Sequence, residues 1–323
     1  MVLDVRRAGD GQWDRLVGSS LHVTFFHTRE WAQLWERYTG EGTAVAHVAR
    51  FDDGVEALLP AVERAPGGRP AAGRLAPALR SLVSAHGATY GGWISPYPLT
   101  AAHHEALLRH TAGWNLSITQ NPHDPGLAAA QVAWTRDDVT HAVDLRRPWD
   151  DVRRSWSRGH RSAVAKAGRA GLTVVAASTP AQWRAYREIH RLTVARWERP
   201  QHVVDDRFLD LLANSRSGDV RLWVAEHEGS VVAGAICLTA GRTVSYWHGA
   251  FDPRVQHLRA APFLHAEIMR RAREEGHHWY DFCPSGGNEG VMAFKDRFGA
   301  ERLPVHTLET SGRLKRGLRS LRG

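Results

Sequence analysis

Trp279-Tyr280-Asp281-Phe282, then Ser285-Gly286-Gly287-Asn288-Glu289-Gly290, then Phe294-Lys295-Asp296-Arg297-Phe298-Gly299 is the stretch that decides how this chain reads. The first piece is a short apolar strand with a carboxylate at Asp281. The second is a glycine-rich loop whose backbone N–H groups are open to a ligand. The third sets a lone lysine, Lys295, between two aromatics. Polar groups in so much apolar company point to a site rather than to an ordinary surface.

Working back from Trp279, a helix is expected from Ala260 to Glu275, preceded by a strand at Tyr246-Trp247-His248-Gly249-Ala250. Before that, Arg221 to Glu226 and Val231 to Thr239 flank a Glu228-Gly229 turn and read as a hairpin. The first half has the same order of signals. Phe25, Phe26, Trp31, Leu34, Trp35 and Tyr38 recur at helical spacing, with Thr28 as start and Gly40 as stop. Val45 to Arg50 and Val55 to Pro60 form a hairpin around Asp52-Asp53-Gly54. A strand at Tyr90 to Ile94, a helix at His103 to His110 and a strand at Trp114 to Thr119 follow. Pro66 to Pro77 reads as a flexible loop. Two hairpin–strand–helix–strand units imply a duplicated α+β domain. The lobes are expected at 1–147 and 148–310, with a basic tail at 311–323.

Two helical segments join the halves, at about Pro148 to Ala170 and Pro180 to Arg196. The first is basic, and Arg154, Arg158 and Arg161 are spaced to share one helical face. The whole chain has 323 residues and a net charge of +8, with a pI of about 10.0. That balance suits polyanionic partners such as nucleic acid, anionic lipid or nucleotide-linked substrates. An arginine-rich composition without such a partner is the plain alternative. Two cysteines, Cys237 and Cys283, exclude a disulfide framework, and neither has metal-ligand spacing. Lacking a signal-peptide core and any membrane-length apolar run, the chain is expected in the cytoplasm.

These residues resemble the FemAB-like aminoacyltransferases, the two-lobed branch of the GNAT acyltransferase superfamily. Arg158-Gly159-His160-Arg161-Ser162-Ala163 with Lys166-Ala167-Gly168 is similar to that family's basic helix. Ser245 to Ala250 is similar to its aromatic strand with a Gly-Ala pair. Asp281-Phe282 and Gly290 to Phe298 match a YDF…G…FK-x-F pattern. The resemblance implies tandem GNAT-like lobes, each a mixed, mostly antiparallel sheet flanked by helices. It also implies transfer of an activated acyl group to an amine.

The donor is expected to be aminoacyl-tRNA, without a further cofactor or metal; the acceptor, a peptidoglycan precursor or a small-metabolite or peptide-antibiotic intermediate. Acyl-CoA is the alternative donor. GNAT enzymes seat the CoA pyrophosphate on a Q/R-x-x-G-x-G/A loop at a helix start. Here Gln256-His257-Leu258-Arg259-Ala260-Ala261 carries Arg259 where that loop has glycine, which obstructs backbone approach. Arg154, Arg259 and Arg297 are candidate donor or tRNA contacts. Arg158, Arg161, Lys166, Tyr246, Trp247, His248, Tyr90 and Phe294 are candidate substrate contacts. The resemblance implies a functional lysine at Lys295, expected to stabilise the oxyanion. Asp281 is the first candidate base, ahead of Glu289 and His248. From another class, a non-catalytic nucleic-acid or membrane-surface binder would use the same basic helix. Oligomeric state stays open, a monomer being the simpler expectation.

Overall fold

The computed structural model describes residues 3–64, 80–87, 89–130, 132, 134–195 and 204–310. The loop expected at Pro66 to Pro77, the basic tail and the Arg196 end of the second linking helix lie outside them. The chain forms two compact units, one of residues 1–139 with 304–323, the other of residues 140–303. This division differs from the boundaries at 147 and 310, because each unit's sheet is completed by a strand from elsewhere along the chain.

In the first unit, β1 (Leu3–Arg7), β2 (Gly42–Phe51), β3 (Glu56–Arg64), β4 (Ser81–Val83) and β5 (Asn115–Thr119) lie side by side in that order. All neighbours are antiparallel except β4 and β5, which run parallel. The last strand of the chain, β12 (Glu301–Thr310), pairs with β5 at Thr307↔Thr119. Helices α1 (Asp10–Ser19), α2 (Arg29–Thr39), α3 (Ala101–Thr111) and α4 (Pro125–Ala128) complete the unit. Helix α2 starts where Thr28 accepts the Trp31 N–H and stops at Gly40, whose φ of 66° few other residues adopt.

The strand expected at Tyr90 to Ile94 does not form; only an isolated bridge, Leu58↔Ile94, remains. Gly91 explains the difference. A Cβ there would lie 2.1 Å from the Ser84 carbonyl oxygen, so the segment crosses that backbone too closely to run as a strand. The first-unit counterpart of the Tyr246 strand is β4.

The second unit repeats the plan. β7 (Thr173–Ala176), β8 (Val220–His227), β9 (Ser230–Ala240), β10 (Thr243–Phe251) and β11 (Trp279–Asp281) follow the same order, closed by β6 (Arg136–Asp144) against β11. Here β10 and β11 are the parallel pair. The linking segment is two helices, α5 (Trp149–Ser155) and α6 (Arg158–Arg169), followed later by α7 (Pro180–Val194), α8 (Asp206–Ala213), α9 (Ala260–Glu274) and α10 (Glu289–Asp296). The core of this unit joins Val143, Trp156, Trp223, Leu264, Tyr280, Phe282 and Phe298. Among the described residues, no helix is long and apolar enough to cross a membrane. The fold is α+β, with a mostly antiparallel sheet flanked by helices in each lobe.

Candidate active site

A cleft of about 780 Å³ opens in the second unit between α6, the start of α9 and the end of α10. The chain reaches it through a turn after β10. Asp252 accepts the Arg254 N–H at 2.9 Å, and a 3₁₀ turn runs from Pro253 to Leu258. Arg259 ends that turn at φ 58°, ψ 37°, its own N–H bound to the Gln256 carbonyl at 3.1 Å. Helix α9 then begins. The N–H groups of Ala260 and Ala261, both lining the cleft, have no acceptor within the helix, and Pro262 contributes none. This is the region the sequence marks as Gln256 to Ala261.

Three cations line the cleft: Lys166, Arg259 and Arg297. None makes an ion pair among the described residues. The carboxylate beside them, Asp252, is held by a two-point bond from Arg254 at 2.9 and 2.7 Å, which keeps its pKa below the usual range. His160 also lines the cleft. Burial, helped by nearby Arg297, lowers its pKa to about 4, so it is neutral at pH 7. It is set by Ser157, which caps α6 by accepting the His160 N–H at 3.1 Å. Phe294 packs beside it, ring centres 5.2 Å apart. In the sequence, His160 and Gln256 stand only as members of the basic helix and of the phosphate-loop stretch, with no contact of their own assigned to either. Their sequence signal, a buried polar residue within a basic helix and a glutamine before a helix start, is weak.

Lys295 lies next to Phe294 in sequence but is buried and is not part of the cleft lining. Its ammonium donates to the Cys283 carbonyl at 2.6 Å and to Ser285 Oγ at 2.8 Å. Asp281, fully buried, accepts from Thr140 Oγ1 at 2.8 Å and from the Cys283 N–H at 2.7 Å. The two expected catalytic groups therefore grip one residue from both sides. Cys283 sits between them at φ 58°, a conformation that a residue with a side chain adopts only when its surroundings fix it. Burial pushes its thiol far above the ordinary range, with Asp281 adding to the effect.

Strands β10 and β11 pair only over Thr243–Ser245 and Trp279–Asp281. Beyond Ser245, β10 runs on alone on that side to Phe251, which lines the cleft. Tyr246 packs edge-on to His265 at 4.5 Å. A bulge at Trp247 follows, and Trp247 meets Phe208 of α8 at 5.4 Å. His248 bonds to Tyr186 of α7.

The remaining candidates lie elsewhere. Tyr90 is buried in the first unit against Phe26. Arg154, Arg158 and Arg161 do not share a helical face, because the chain breaks between α5 and α6 at Trp156 and Ser157. Arg154 pairs with Asp151, Arg158 is exposed, and Arg161 folds back onto the Arg154 carbonyl at 2.9 Å. Glu289 is an exposed first-turn residue of α10.

Residues 151–296 match the acetyltransferase (GNAT) domain family. That match spans a little under half of the chain and falls within the second unit. It includes nearly all of the cleft, from Ser157 to Phe294. In structure, the whole chain is similar to a crystal structure of FemX, with a TM-score of 0.72 at 15% identity over 98% of this chain and 99% of that one. It is also similar to a conserved protein of unknown function from Bacteroides thetaiotaomicron, at 0.58 and 11% over 95% and 99%. L-PGS from Bacillus licheniformis follows at 0.51 and 13%, over 85% and 86%. No curated protein matches the chain in sequence. At these identities the likeness is one of fold, and the fold is the two-lobed one that the FemAB-like resemblance implies. The matched segment holds a cleft lined by three cations and by Phe251, on the part of β10 that runs on past its pairing with β11.

Proposed function

We propose that the protein forms amide bonds by transferring an aminoacyl group from aminoacyl-tRNA to an amine, either a peptidoglycan precursor or a small-metabolite or peptide-antibiotic intermediate. The observation that carries this reading is Arg259. It occupies the left-handed position at the start of α9, where a pyrophosphate seated on bare backbone needs room. The Arg259 N–H is already used within the turn, and Pro262 has none, so two free N–H groups remain at this helix start. A guanidinium in their place suits separate phosphates of a nucleic-acid backbone. Lys166 and Arg297 extend the same charge along the cleft.

The test is direct. Purified protein is given mixed tRNAs charged with radiolabelled amino acids, plus cell extract as the source of acceptor. Label should move to a small product, and ribonuclease pretreatment should abolish the transfer. Transfer that survives ribonuclease and requires added acyl-CoA overturns the reading. In a parallel experiment, Arg259→Gly should raise retention on immobilised CoA above that of the unaltered protein. Strong retention of the unaltered protein would point to the CoA donor.

A further inference from the structure

Among the described residues, four large apolar side chains stand exposed: Leu21, Tyr97, Phe251 and Val291. Of these, only Phe251 lines the cationic cleft. The residue is 38% exposed, and its ring meets no other aromatic ring among the described residues. Phe294, which also lines the cleft, is different. Its ring packs against His160, His265 and Phe298, with ring centres 5.2, 5.6 and 5.4 Å apart. A lone apolar residue on an open surface needs no explanation. A bare ring inside a concave site does, because an apolar face left in water adds little to folding.

The backbone beneath this ring is fixed on several sides. Phe251 pairs with Ala233 near the start of β9. Its carbonyl accepts Thr193 Oγ1 of α7 at 3.2 Å. The following N–H, that of Asp252, donates to the Val232 carbonyl at 2.9 Å. The ring is therefore carried by a strand end whose hydrogen bonds are made, and a ligand meets it without reordering the chain.

What the ring can recognise follows from its neighbours. Lys166, Arg259 and Arg297 line the same cleft, and Val255 adds apolar lining close to Phe251 in the chain. Cations select an anion, and a flat apolar face selects a flat apolar group. A nucleotide supplies both, as phosphate and base, and a base stacks on an aromatic ring without further hydrogen bonds. The cleft, about 780 Å³, is of the size that takes a small organic ligand. Both acyl donors considered for this site carry the same base, since tRNA ends in an adenosine and CoA contains one.

We propose that Phe251 is the stacking platform for the adenine of the acyl donor, with the cations of the cleft holding the adjoining phosphate. The inference rests on the reading of this cleft as the donor site and applies to either donor. It makes Phe251 a binding residue rather than a catalytic one, so its loss should raise the KM for the donor and leave kcat nearly unchanged.

Binding is measured by titrating the full chain with two probes, the 5′-phosphorylated trinucleotide CCA and CoA. At least one should bind, and Phe251→Ala should weaken it about tenfold. Phe251→Leu keeps apolar bulk without a flat face and should weaken it nearly as much, whereas Phe251→Trp should bind at least as well as the parent. Probes stripped of the adenine, a trinucleotide with an abasic terminal ribose and pantetheine 4′-phosphate, should not distinguish the parent from Phe251→Ala. Binding of CoA but not CCA, lost in the alanine variant, sinks the tRNA reading and keeps this one. Binding of CCA that Phe251→Ala or Phe251→Leu leaves unchanged does the reverse. Binding of neither probe to the parent overturns the proposal as well.

Discussion

Phe294 and Lys295 are neighbours in sequence and part company in space. Successive helical residues point about 100° apart, so Phe294 meets the cleft while Lys295 turns inward to Cys283 and Ser285. The sequence marks the lysine as unusual and its aromatic company is real, but the direction of its ammonium depends on a loop that closes over it from 283 to 285. In this resting geometry the ammonium organises that loop. Lys295→Met should therefore lower the unfolding free energy by about 2–4 kcal/mol, because it leaves a buried carbonyl without its donor and removes a buried cation near Asp281. Urea denaturation followed by tryptophan fluorescence measures the loss. A change under half a kilocalorie, with transfer abolished, would return Lys295 to the direct catalytic role expected of it.

At the scale of elements, both hairpins and the helices α2, α3 and α9 are readable because their signals are local, while α1 and α8 are not read. The α2 cap and stop, both hairpins, α9 and β11 fall where spacing and turn residues put them. Strands β1, β4, β6, β7 and β12 are not legible in the sequence, since each is short or is defined by partners far along the chain. The bulge in β10 was missed for a related reason: it exists in the register against β9, where Tyr246 pairs with Cys237 and His248 with Ile236. Without it, the alternation of side chains would turn Trp247 and His248 to opposite faces. Gly249 supports this arrangement, since a Cβ there would lie 2.3 Å from the Tyr246 hydroxyl. Gly249→Ala should therefore destabilise the domain by about 1–3 kcal/mol through overpacking. It should also weaken transfer more than an exposed substitution of equal size, such as Gly113→Ala, where nothing lies within 4 Å. Matching melting curves for the two variants would show that Tyr246 yields freely.

For the whole molecule, the abundance of histidine has a consequence that composition alone does not reveal. The chain holds 19 histidines, and several are buried and neutral in both units. Burial lowers the pKa of His27 in the first unit to about 4, and in the second that of His160 to about 4 and that of His265 to about 3. An unfolded histidine titrates near 6.5. Below that pH the unfolded chain binds protons that these folded residues refuse, so stability is full above about pH 6.5 and is lost as pH falls toward the folded values. Each such residue contributes a slope of up to about 1.4 kcal/mol per pH unit across that window. Both units share the effect, so their urea midpoints should fall together between pH 7 and pH 5, and salt should not restore them, because the cause is desolvation rather than repulsion between surface charges. Replacing His27 with Gln should flatten the first unit's dependence, followed through Trp13, whose indole donates to the His27 carbonyl at 3.0 Å. Midpoints unchanged from pH 7 to pH 5 would mean that these histidines reach solvent and titrate in the folded chain.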